Sequence, residues 1–438
     1  MTRSLLMAFA AVLPSLPAAA ASPVADAVKA DYDRLLGKLF VDFHRNPELS
    51  YVETRTARAM ARELRAAGAE VTEGVGGTGV VGVMRNGDGP VLLIRADMDG
   101  LPLREASGLP YASTVRQKDA DGVDQPVMHA CGHDVHITSM VGTARRLAAM
   151  KDRWRGTALF VVQPAEERVG GARKMLADGL YTRFPKPDFA IAFHVAADYP
   201  TGTLGAEPGI AASSSDSVTI TINGVGTHGA YPHMGKDPVV MGAELVLALQ
   251  TLVSREIAPL QPAVVTVGAF QAGAKHNIIS DQAVLMLSVR TDDEGVRKAL
   301  LDGIRRIAAN VGRMNGLPED RLPKVEVVES TPVMINDPAL SARIKPVLQR
   351  AFGQAAVIAP PREGMGSEDF SEFIQPVLGV PGLYLWVGGT PPAAFEAEKK
   401  GGPPVAGHHS PLFKIDPEPS VRLGTEAMTL AALELLKR

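Results

Sequence analysis

The stretch His129-Ala130-Cys131-Gly132-His133-Asp134-Val135-His136 contains the only cysteine of the 438 residues and three of the ten histidines. A cysteine and a histidine two residues apart, beside a carboxylate, are ligand types that bind zinc or a similar divalent ion. The alternative is a buried structural cysteine flanked by solvent-exposed histidines, which is the usual interpretation of a lone cysteine or histidine. The density of ligand types within this octapeptide favours the metal site.

Chemically active side chains on either side of the octapeptide follow short apolar runs. Runs typical of strands buried on both faces lie at residues 91–95, 158–162 and 190–193. They lead to Asp97, to Glu166-Glu167 and to His194. A helical apolar spacing over residues 137–148 places Cys131 to Asp134 on the loop that enters a helix. Because ligands bind at the carboxyl ends of strands in open α/β sheets, we predict that these groups converge with the Cys131 loop in one crevice.

Two features near these strands have structural explanations. Ser50 and Glu53 have the spacing of a capping box, ahead of a helical apolar pattern over residues 57–64. Asp99 closes the motif Arg95-Ala-Asp-Met-Asp99 and fits a turn or helix-cap aspartate. The same interpretation is the alternative for Asp97.

A complete small domain is inserted in the α/β chain. Between a small, polar stretch near residue 213 and Pro332, the predicted elements follow the order β-α-β-β-α-β, the ferredoxin-like arrangement. They are strands at 218–222, 264–270, 284–289 and 324–328 and helices at 238–254 and 294–314. We predict an α/β catalytic domain formed by residues 22–212 and 331–438, and an inserted domain formed by residues 213–330.

Length and charge narrow the class of protein. The chain is longer than one hydrophobic core usually supports, which agrees with two domains. Its formal net charge is −3 and it has no block of like charge. We therefore predict no nucleic-acid partner and no binding to an anionic membrane, since both need a concentrated basic surface.

The amino-terminal residues are typical of an export signal. Arg3 gives a positive start, residues 5–13 an apolar core and residues 17–22 small side chains for cleavage. This apolar run is too short to span a membrane comfortably, and no later segment is long and apolar enough to do so. We predict a signal peptide over residues 1–21 and a secreted or periplasmic protein. A single cysteine cannot form an intramolecular disulfide in such a compartment.

Metal-ligand types in the sequence exceed the need of one ion. They are Cys131, His133, Glu167, His194 and one of His408 and His409. A closed structural zinc site needs four ligands and rarely includes a carboxylate, so two ions that share a bridging group are the economical interpretation. Glu166 and Glu167 follow a buried strand and point to different sides. One can bind metal while the other acts as a general base, and a solvated acidic turn is the alternative.

Seven motifs together resemble the M20 family of metallopeptidases, and within it the aminoacylase, hippurate hydrolase and auxin-conjugate amidohydrolase group. They are the octapeptide, Arg95-Ala-Asp-Met-Asp99, Gln163-Pro-Ala-Glu-Glu167, Phe193-His-Val195, Gly226-Thr-His-Gly-Ala230, Gly366-Ser-Glu-Asp-Phe370 and His409-Ser-Pro411. They occur in the family's order and span nearly all of the chain beyond the predicted signal. The resemblance implies a phosphorylase/hydrolase-like zinc-exopeptidase catalytic domain with an inserted dimerisation or lid domain.

The resemblance also implies a role for each residue of the site. Two divalent ions per subunit, of zinc, manganese or cobalt, would be bound, with Cys131 bridging them. The remaining ligands would be His133, Glu167, His194 and His409. Glu166 would be the general acid/base, and Asp97 would orient the site from outside the ligands.

Two residues of the inserted domain complete this set. His228 would reach the active site of a partner subunit and stabilise the tetrahedral oxyanion, although a loop histidine taken alone is usually only a polar residue. Asn277 would contact substrate. It stands in His276-Asn-Ile-Ile-Ser280, where the family commonly has Asn-Val-Ile-Pro. The implied assembly is a homodimer or higher homo-oligomer.

These observations predict a metal-dependent amidohydrolase that cleaves N-acyl amino acids or small peptide-like conjugates. One alternative is a thiol hydrolase with Cys131 as nucleophile and a nearby histidine as base. The other is a non-catalytic metal- or solute-binding protein. A free Glu166 beside a ligating Glu167 argues against it.

Overall fold

The computed structural model describes residues 22–359 and 361–437, so the predicted signal peptide, residues 1–21, lies outside the described residues. The α-helices are α1 (Ala25–Asp31), α2 (Gly37–Arg45), α3 (Thr54–Ala66), α4 (His133–Ala149), α5 (Gly171–Ala177), α6 (Leu180–Arg183), α7 (Pro238–Thr251), α8 (Glu294–Met314), α9 (Pro338–Phe352), α10 (Pro392–Lys399) and α11 (Pro417–Leu435). The strands are β1 (Glu70–Val75), β2 (Gly79–Asn86), β3 (Val91–Asp97), β4 (Arg116–Lys118), β5 (Asp124–Pro126), β6 (Gly156–Gln163), β7 (Phe189–Pro200), β8 (Leu204–Gly205), β9 (Gly209–Ala212), β10 (Ser214–Asn223), β11 (Thr227–His228), β12 (Ala263–Ala272), β13 (Ile278–Ile279), β14 (Gln282–Thr291), β15 (Lys324–Thr331), β16 (Met334–Asn336), β17 (Val357–Ile358) and β18 (Gly382–Thr390).

A mixed eight-stranded sheet with the order β1-β2-β6-β3-β7-β18-β8-β17 forms the centre of the catalytic domain. Its inner strands β6, β3, β7 and β18 run parallel to their neighbours in that group. Side chains of β3 alternate between two cores: Leu92 and Ile94 pack on the side of α3, α4 and α11, and Leu93 packs on the side of α5. Coverage of both faces explains the continuous apolar runs in the sequence.

The inserted domain forms a separate sheet and core. Strands β10, β12, β14 and β15 are antiparallel in the order β12-β14-β10-β15, with α7 and α8 against one face. Asp237 and Asp293 begin the two helices by accepting the backbone N–H groups of Val239 and Val296, each at 2.9 Å. The α/β class and the ferredoxin-like order β-α-β-β-α-β are thus confirmed.

Helix α7 continues through a π-helical turn, and Pro238–Glu256 together is long and apolar enough to cross a membrane. The prediction that no later segment has this length and composition is therefore wrong. One face of the helix packs Met241 and Leu245 into the inserted domain's core, while Val240 and Leu247 are exposed on the other side. Apolar residues on both faces account for the high mean hydropathy.

The position predicted for His194 needs correction. It lies inside β7 rather than after it, because β7 continues to Pro200. Pairing of β7 with β3 ends where Ile191 lies opposite Ile94. The same register sets His194 level with Asp97, the last residue of β3, so the two side chains reach the carboxyl edge of the sheet together.

The predicted capping box before α3 is wrong as well. Glu48 caps this helix, because its Oε1 and Oε2 atoms accept the N–H groups of Arg55 and Thr56 at 3.0 and 2.7 Å. Ser50 and Glu53 instead bond to residues of the sheet edge. The spacing of a capping box fits this sequence, but a carboxylate two residues before Ser50 reaches the helix first.

Candidate metal centre

Donor atoms from four segments meet at the carboxyl edge of the catalytic sheet. One trio combines Cys131, His133 and His194, and a second combines Cys131, Glu167 and His409, with the donor atoms of each trio within 4.8 Å of one another. The Cys131 sulfur is therefore common to both trios. The five side chains that the sequence predicts as metal ligands are brought together by the fold.

The local backbone brings the octapeptide to this edge. Gly132, directly before α4, has φ +85°, and a Cβ atom there would lie 2.3 Å from Val195 Cγ1. Only glycine fits this close approach and this backbone conformation. His409 joins the same loop, because its N–H donates to the carbonyl of Ala130 at 2.9 Å.

The two buried imidazoles of the first trio present the same nitrogen to the centre. His133 Nδ1 donates to the Asp99 carbonyl at 2.8 Å, and His194 Nδ1 donates to the Val195 carbonyl at 2.7 Å. A backbone acceptor on Nδ1 leaves Nε2 with its lone pair, which is how metal-binding histidines are oriented. His194 Nε2 lies 3.4 Å from Cys131 Sγ.

Unsatisfied buried atoms show that these residues fit a cation. Among the described residues, His133 Nε2 and Glu167 Oε1 are buried without a hydrogen-bond partner. They lie 3.9 Å apart. Buried polar atoms are rarely left without partners, and thiol, imidazole and carboxylate groups are the donors that zinc and similar ions accept. A divalent ion at this position would satisfy both atoms.

Acidic groups of the centre repel one another in the absence of a cation. Burial, with the nearby Glu368 and Glu167 carboxylates, raises the pKa of Glu166 well above its usual value. Burial raises the pKa of Glu167 to about 8. Burial opposes the charged form of His133, but Asp97 and the hydrogen bond to Asp99 outweigh it and raise the pKa to about 10. The surroundings therefore favour positive charge at this point.

The protonation states favoured by the site, a neutral thiol at Cys131 and a neutral imidazole at His194, argue against a thiol nucleophile. Burial raises the pKa of the Cys131 thiol well above its usual value, and burial holds the pKa of His194 well below its own. A reactive cysteine needs the opposite arrangement, a thiolate beside a protonated imidazole. A neutral imidazole and a thiol that loses its proton to a metal are the states required of ligands.

Asp97 belongs to a buried network behind the ligands. Its Oδ1 accepts His136 Nδ1 at 2.6 Å, and its Oδ2 accepts Arg95 Nη1 at 2.6 Å. Arg95, fully buried, also donates to Glu368 at 2.7 and 3.1 Å, and Glu368 accepts the hydroxyl of Tyr384. His136 in turn accepts the N–H of Val195, next to His194, at 2.9 Å. The network gives Arg95 and Glu368 a structural role behind the ligands. The sequence did not indicate this role, because the partners are far apart in the chain.

Other members of the octapeptide make structural contacts. Asp134 accepts His44 Nδ1 at 2.7 Å, and His44 Nε2 donates to Glu105 at 3.1 Å. Burial opposes the charged form of His44, but these two carboxylates raise its pKa to about 9. His129 is buried and burial lowers its pKa to about 4. His408 belongs to neither trio, and its Nε2 accepts the N–H of Ala197 at 3.1 Å.

His228 and Asn277 lie together but apart from the trios. His228 pairs with Ile278 in the two-stranded β11/β13 ribbon of the inserted domain, and Gly229 donates to the Asn277 carbonyl at 2.8 Å. Both His228 and Asn277 are exposed. Within the described chain, neither makes a hydrogen bond or ion pair with any of the five candidate ligands. The described chain therefore shows no direct bond between these two residues and its own donor trios.

Known proteins resemble this chain in sequence and fold. A model of peptidase family M20/M25/M40 matches residues 93–399. Thermostable carboxypeptidase 2 of Saccharolobus solfataricus is 34% identical over 396 residues, which cover 89% of this chain and 93% of the relative. Hippurate hydrolase of Campylobacter jejuni is 38% identical over 342 residues, covering 77% and 84%. The crystal structure of Bacillus subtilis YXEP, a dinuclear metal-binding M20 peptidase, matches with a TM-score of 0.73 and 29% identity over 93% of this chain and 99% of its own.

The fold and the donor cluster define a metal-dependent hydrolase that acts on C–N bonds, with its site at the carboxyl edge of an α/β sheet. The chain belongs to peptidase family M20/M25/M40. The family resemblance and the metal-dependent amidohydrolase activity predicted from the sequence are confirmed. The domain boundaries and the roles of individual site residues stay predictions.

Proposed function

We propose that this hydrolase cleaves the amide bond of N-acyl amino acids or small peptide-like conjugates, with two divalent ions and Glu166 as the general acid/base. The observation that carries the proposal is the pair of donor trios that share Cys131. A relative that hydrolyses hippurate by name, an N-acyl amino acid, supports the substrate class. Zinc, manganese or cobalt suits the mixed thiol, imidazole and carboxylate donors.

Each ligand has a defined place in this proposal. Cys131 would be a ligand of both ions, because its sulfur is the atom common to both trios. His133, Glu167, His194 and His409 complete the shells. When bound, the ions polarise the substrate carbonyl and lower the pKa of a bound water toward about 7.

Glu166 moves the proton in the reaction. Its Oε2 lies 3.9 Å from His133 Nε2, so the carboxylate borders the donor cluster without belonging to either trio that includes Cys131. It takes a proton from the attacking water and returns it to the leaving nitrogen. Burial and neighbouring carboxylates keep the pKa of this group high, which suits a residue that must hold a proton and then release it.

A substrate panel tests the proposed substrate class. We expect the mature chain, supplied with metal, to hydrolyse at least one of N-acetyl, N-benzoyl and indoleacetyl amino acids more efficiently than dipeptides, measured as kcat/KM. Amine release is the direct measurement. Stoichiometric metal binding with no turnover on any member would contradict the proposal and favour a binding protein.

We further propose that the chain forms a homodimer or higher homo-oligomer through the inserted domain and that His228 acts in the partner's site. The exposed position of His228, apart from the ligands of its own chain, supports this. An exposed apolar face of Pro238–Glu256 in the same domain supports an interface there.

Subunit mixing tests the action of His228 in trans. Homodimers of His228→Ala and of Glu166→Gln should each be nearly inactive, because each lacks one group at every site. Unfolding and refolding the two together should restore activity to about a quarter of the parent's, since half the dimers are hybrids with one complete site. A fully active monomer, or mixtures no more active than the separate variants, would contradict the role in trans.

Export is proposed on the sequence alone. We propose that the chain is secreted or periplasmic, on the strength of the positive start, apolar core and small residues within its first 22 residues.

A further inference from the structure

The turn that carries Glu166 and Glu167 is held by two carboxylates from elsewhere in the chain. Glu53 Oε1 accepts the N–H of Ala165 at 2.8 Å. Asp99 Oδ1 accepts the N–H of Glu166 at 3.1 Å, and Asp99 Oδ2 accepts the N–H of Glu167 at 3.0 Å. Three successive backbone N–H groups therefore donate to two buried carboxylates. We call this pair of carboxylates the Glu53–Asp99 cradle.

Backbone strain shows that the turn needs this support. Ala165 has φ +49° and Val169 has φ +48°, although neither is glycine. Such conformations are strained for residues other than glycine and persist where the surrounding structure imposes them. Gly171 packs so closely on the turn that a Cβ atom there would lie 1.6 Å from the Pro164 carbonyl oxygen. The turn is thus packed against the start of α5 and is hydrogen-bonded to the Glu53–Asp99 cradle.

Asp99 also connects the turn to a second part of the centre. Its carbonyl accepts His133 Nδ1 at 2.8 Å, and its carboxylate accepts the Ser50 hydroxyl at 2.7 Å. Asp99 is therefore in hydrogen-bond contact with the backbone of Glu166 and Glu167 and with the ring of His133. No other described side chain accepts hydrogen bonds from the backbone N–H groups of both glutamates.

We infer that Asp99 is a positioning residue of the hydrolytic centre and that Glu53 assists it, together setting the Glu166–Glu167 turn against His133. The inference rests on the proposed function, because it assigns these residues the task of orienting a general base and two metal ligands. Neither Asp99 nor Glu53 belongs to a donor trio. Glu53 acts through the backbone N–H of Ala165, whereas Asp99 acts through the N–H groups of both glutamates and through His133 Nδ1, which lies 2.8 Å from its carbonyl oxygen and 3.4 Å from its Oδ1.

Hydrogen-bond geometry distinguishes positioning from a simple effect of charge. Both Asp99 oxygens face N–H groups, so an amide NH₂ in Asp99→Asn would oppose the N–H of Glu166 or Glu167. Glu53 is different, because its Oε2 faces the hydroxyl of Thr78, which can donate or accept. A glutamine at 53 can keep its oxygen on Ala165 N–H and its NH₂ on that hydroxyl.

Titration of the metal-free protein with a metal ion tests the inference. Co²⁺ is added and the thiolate and ligand-field absorption is followed, which reads site geometry independently of turnover. We expect Asp99→Asn to weaken Co²⁺ binding by about 10- to 100-fold, the usual effect of losing a partner that orients ligands. Glu53→Ala should show a loss in the same direction, and Glu53→Gln should recover most of it.

Asp119→Asn is the matched control. Asp119 Oδ1 also accepts two backbone N–H groups, those of Asp121 and Val123 at 3.0 and 2.9 Å, but in the exposed turn between β4 and β5. We expect its Co²⁺ titration to match the parent's. If Asp99→Asn does not fold, Ser50→Ala replaces it, since loss of one bond to the Asp99 carboxylate should weaken Co²⁺ binding by about three- to tenfold, a smaller loss than that of an orienting residue itself.

The outcomes separate this inference from the proposed function. Parent-like Co²⁺ binding and spectra in Asp99→Asn, or in Ser50→Ala where it is substituted, would overturn the inference. Equal losses in Glu53→Ala and Glu53→Gln would also overturn it, because charge rather than hydrogen bonding would then matter. Full turnover by Glu166→Gln would instead overturn the proposed function and leave the Co²⁺ results standing.

Discussion

A Glu166→Gln variant should lose between about 10² and 10⁴-fold in kcat, the range that a general acid/base contributes. Glutamine keeps the size of the side chain and the backbone N–H bond to Asp99 Oδ1, but it cannot accept a proton at the working pH. KM should change little, because the substituted group acts on the proton rather than on substrate binding. Steady-state rates with a metal-supplemented N-acyl amino acid measure the effect.

Metal content must be measured on the same samples. We expect Glu166→Gln to bind as much metal as the parent, because Glu166 belongs to neither of the trios that share Cys131. Glu398→Gln on the exposed helix α10 is a control for the amide substitution. Near-parental turnover by the metal-loaded Glu166→Gln variant would show that another group moves the proton.

Cys131→Ala should abolish activity by removing the donor common to both trios. Loss of a residue that orients a ligand weakens metal affinity by about 10- to 100-fold. Loss of a ligand itself should weaken metal affinity by more than this. A chelator should inactivate the parent, and Zn²⁺, Mn²⁺ or Co²⁺ should restore it. The same ions should fail to restore Cys131→Ala at comparable concentrations.

Thermal unfolding provides a second measurement on this variant. An ion present at about 100 times its Kd stabilises the native state by about 2.7 kcal/mol per site. The parent should therefore unfold at a lower temperature after chelation, while Cys131→Ala should unfold at one temperature with or without the chelator. A metal-dependent shift of equal size in both proteins would place the ions elsewhere.

Much of the fold and of the ligand set could be predicted from the sequence because both leave strong local patterns. A run of four apolar residues at 91–94 marked β3, and a run of five at 158–162 marked β6. Strands with alternating apolar residues and helices with helical apolar spacing marked the ferredoxin-like insertion. Cys131 and His133 stand two residues apart, although α4 begins at His133 and not after the predicted loop of residues 131–134. Glu166 and Glu167 closely follow a buried strand. Such patterns need no knowledge of distant contacts.

The supporting residues could not be found this way, because their partners are far apart in sequence. Ser50 and Glu53 have the spacing of a helix cap, yet they bond to Asp99 and to the Ala165 N–H group. Asp99 has the sequence context of a turn aspartate, and only tertiary structure brings it beneath the two glutamates. Local spacing cannot distinguish these uses of a carboxylate.

Counting bound metal tests the central claim most directly. The purified protein is stripped of metal, titrated with Zn²⁺ or Co²⁺ and dialysed, and metal per chain is measured by elemental analysis alongside amidohydrolase activity. The dinuclear centre predicts two ions per chain in the parent, activity that depends on their binding, and loss of both in Cys131→Ala. Full activity in a metal-free chain, or a single ion per chain at saturation with full activity, would contradict it.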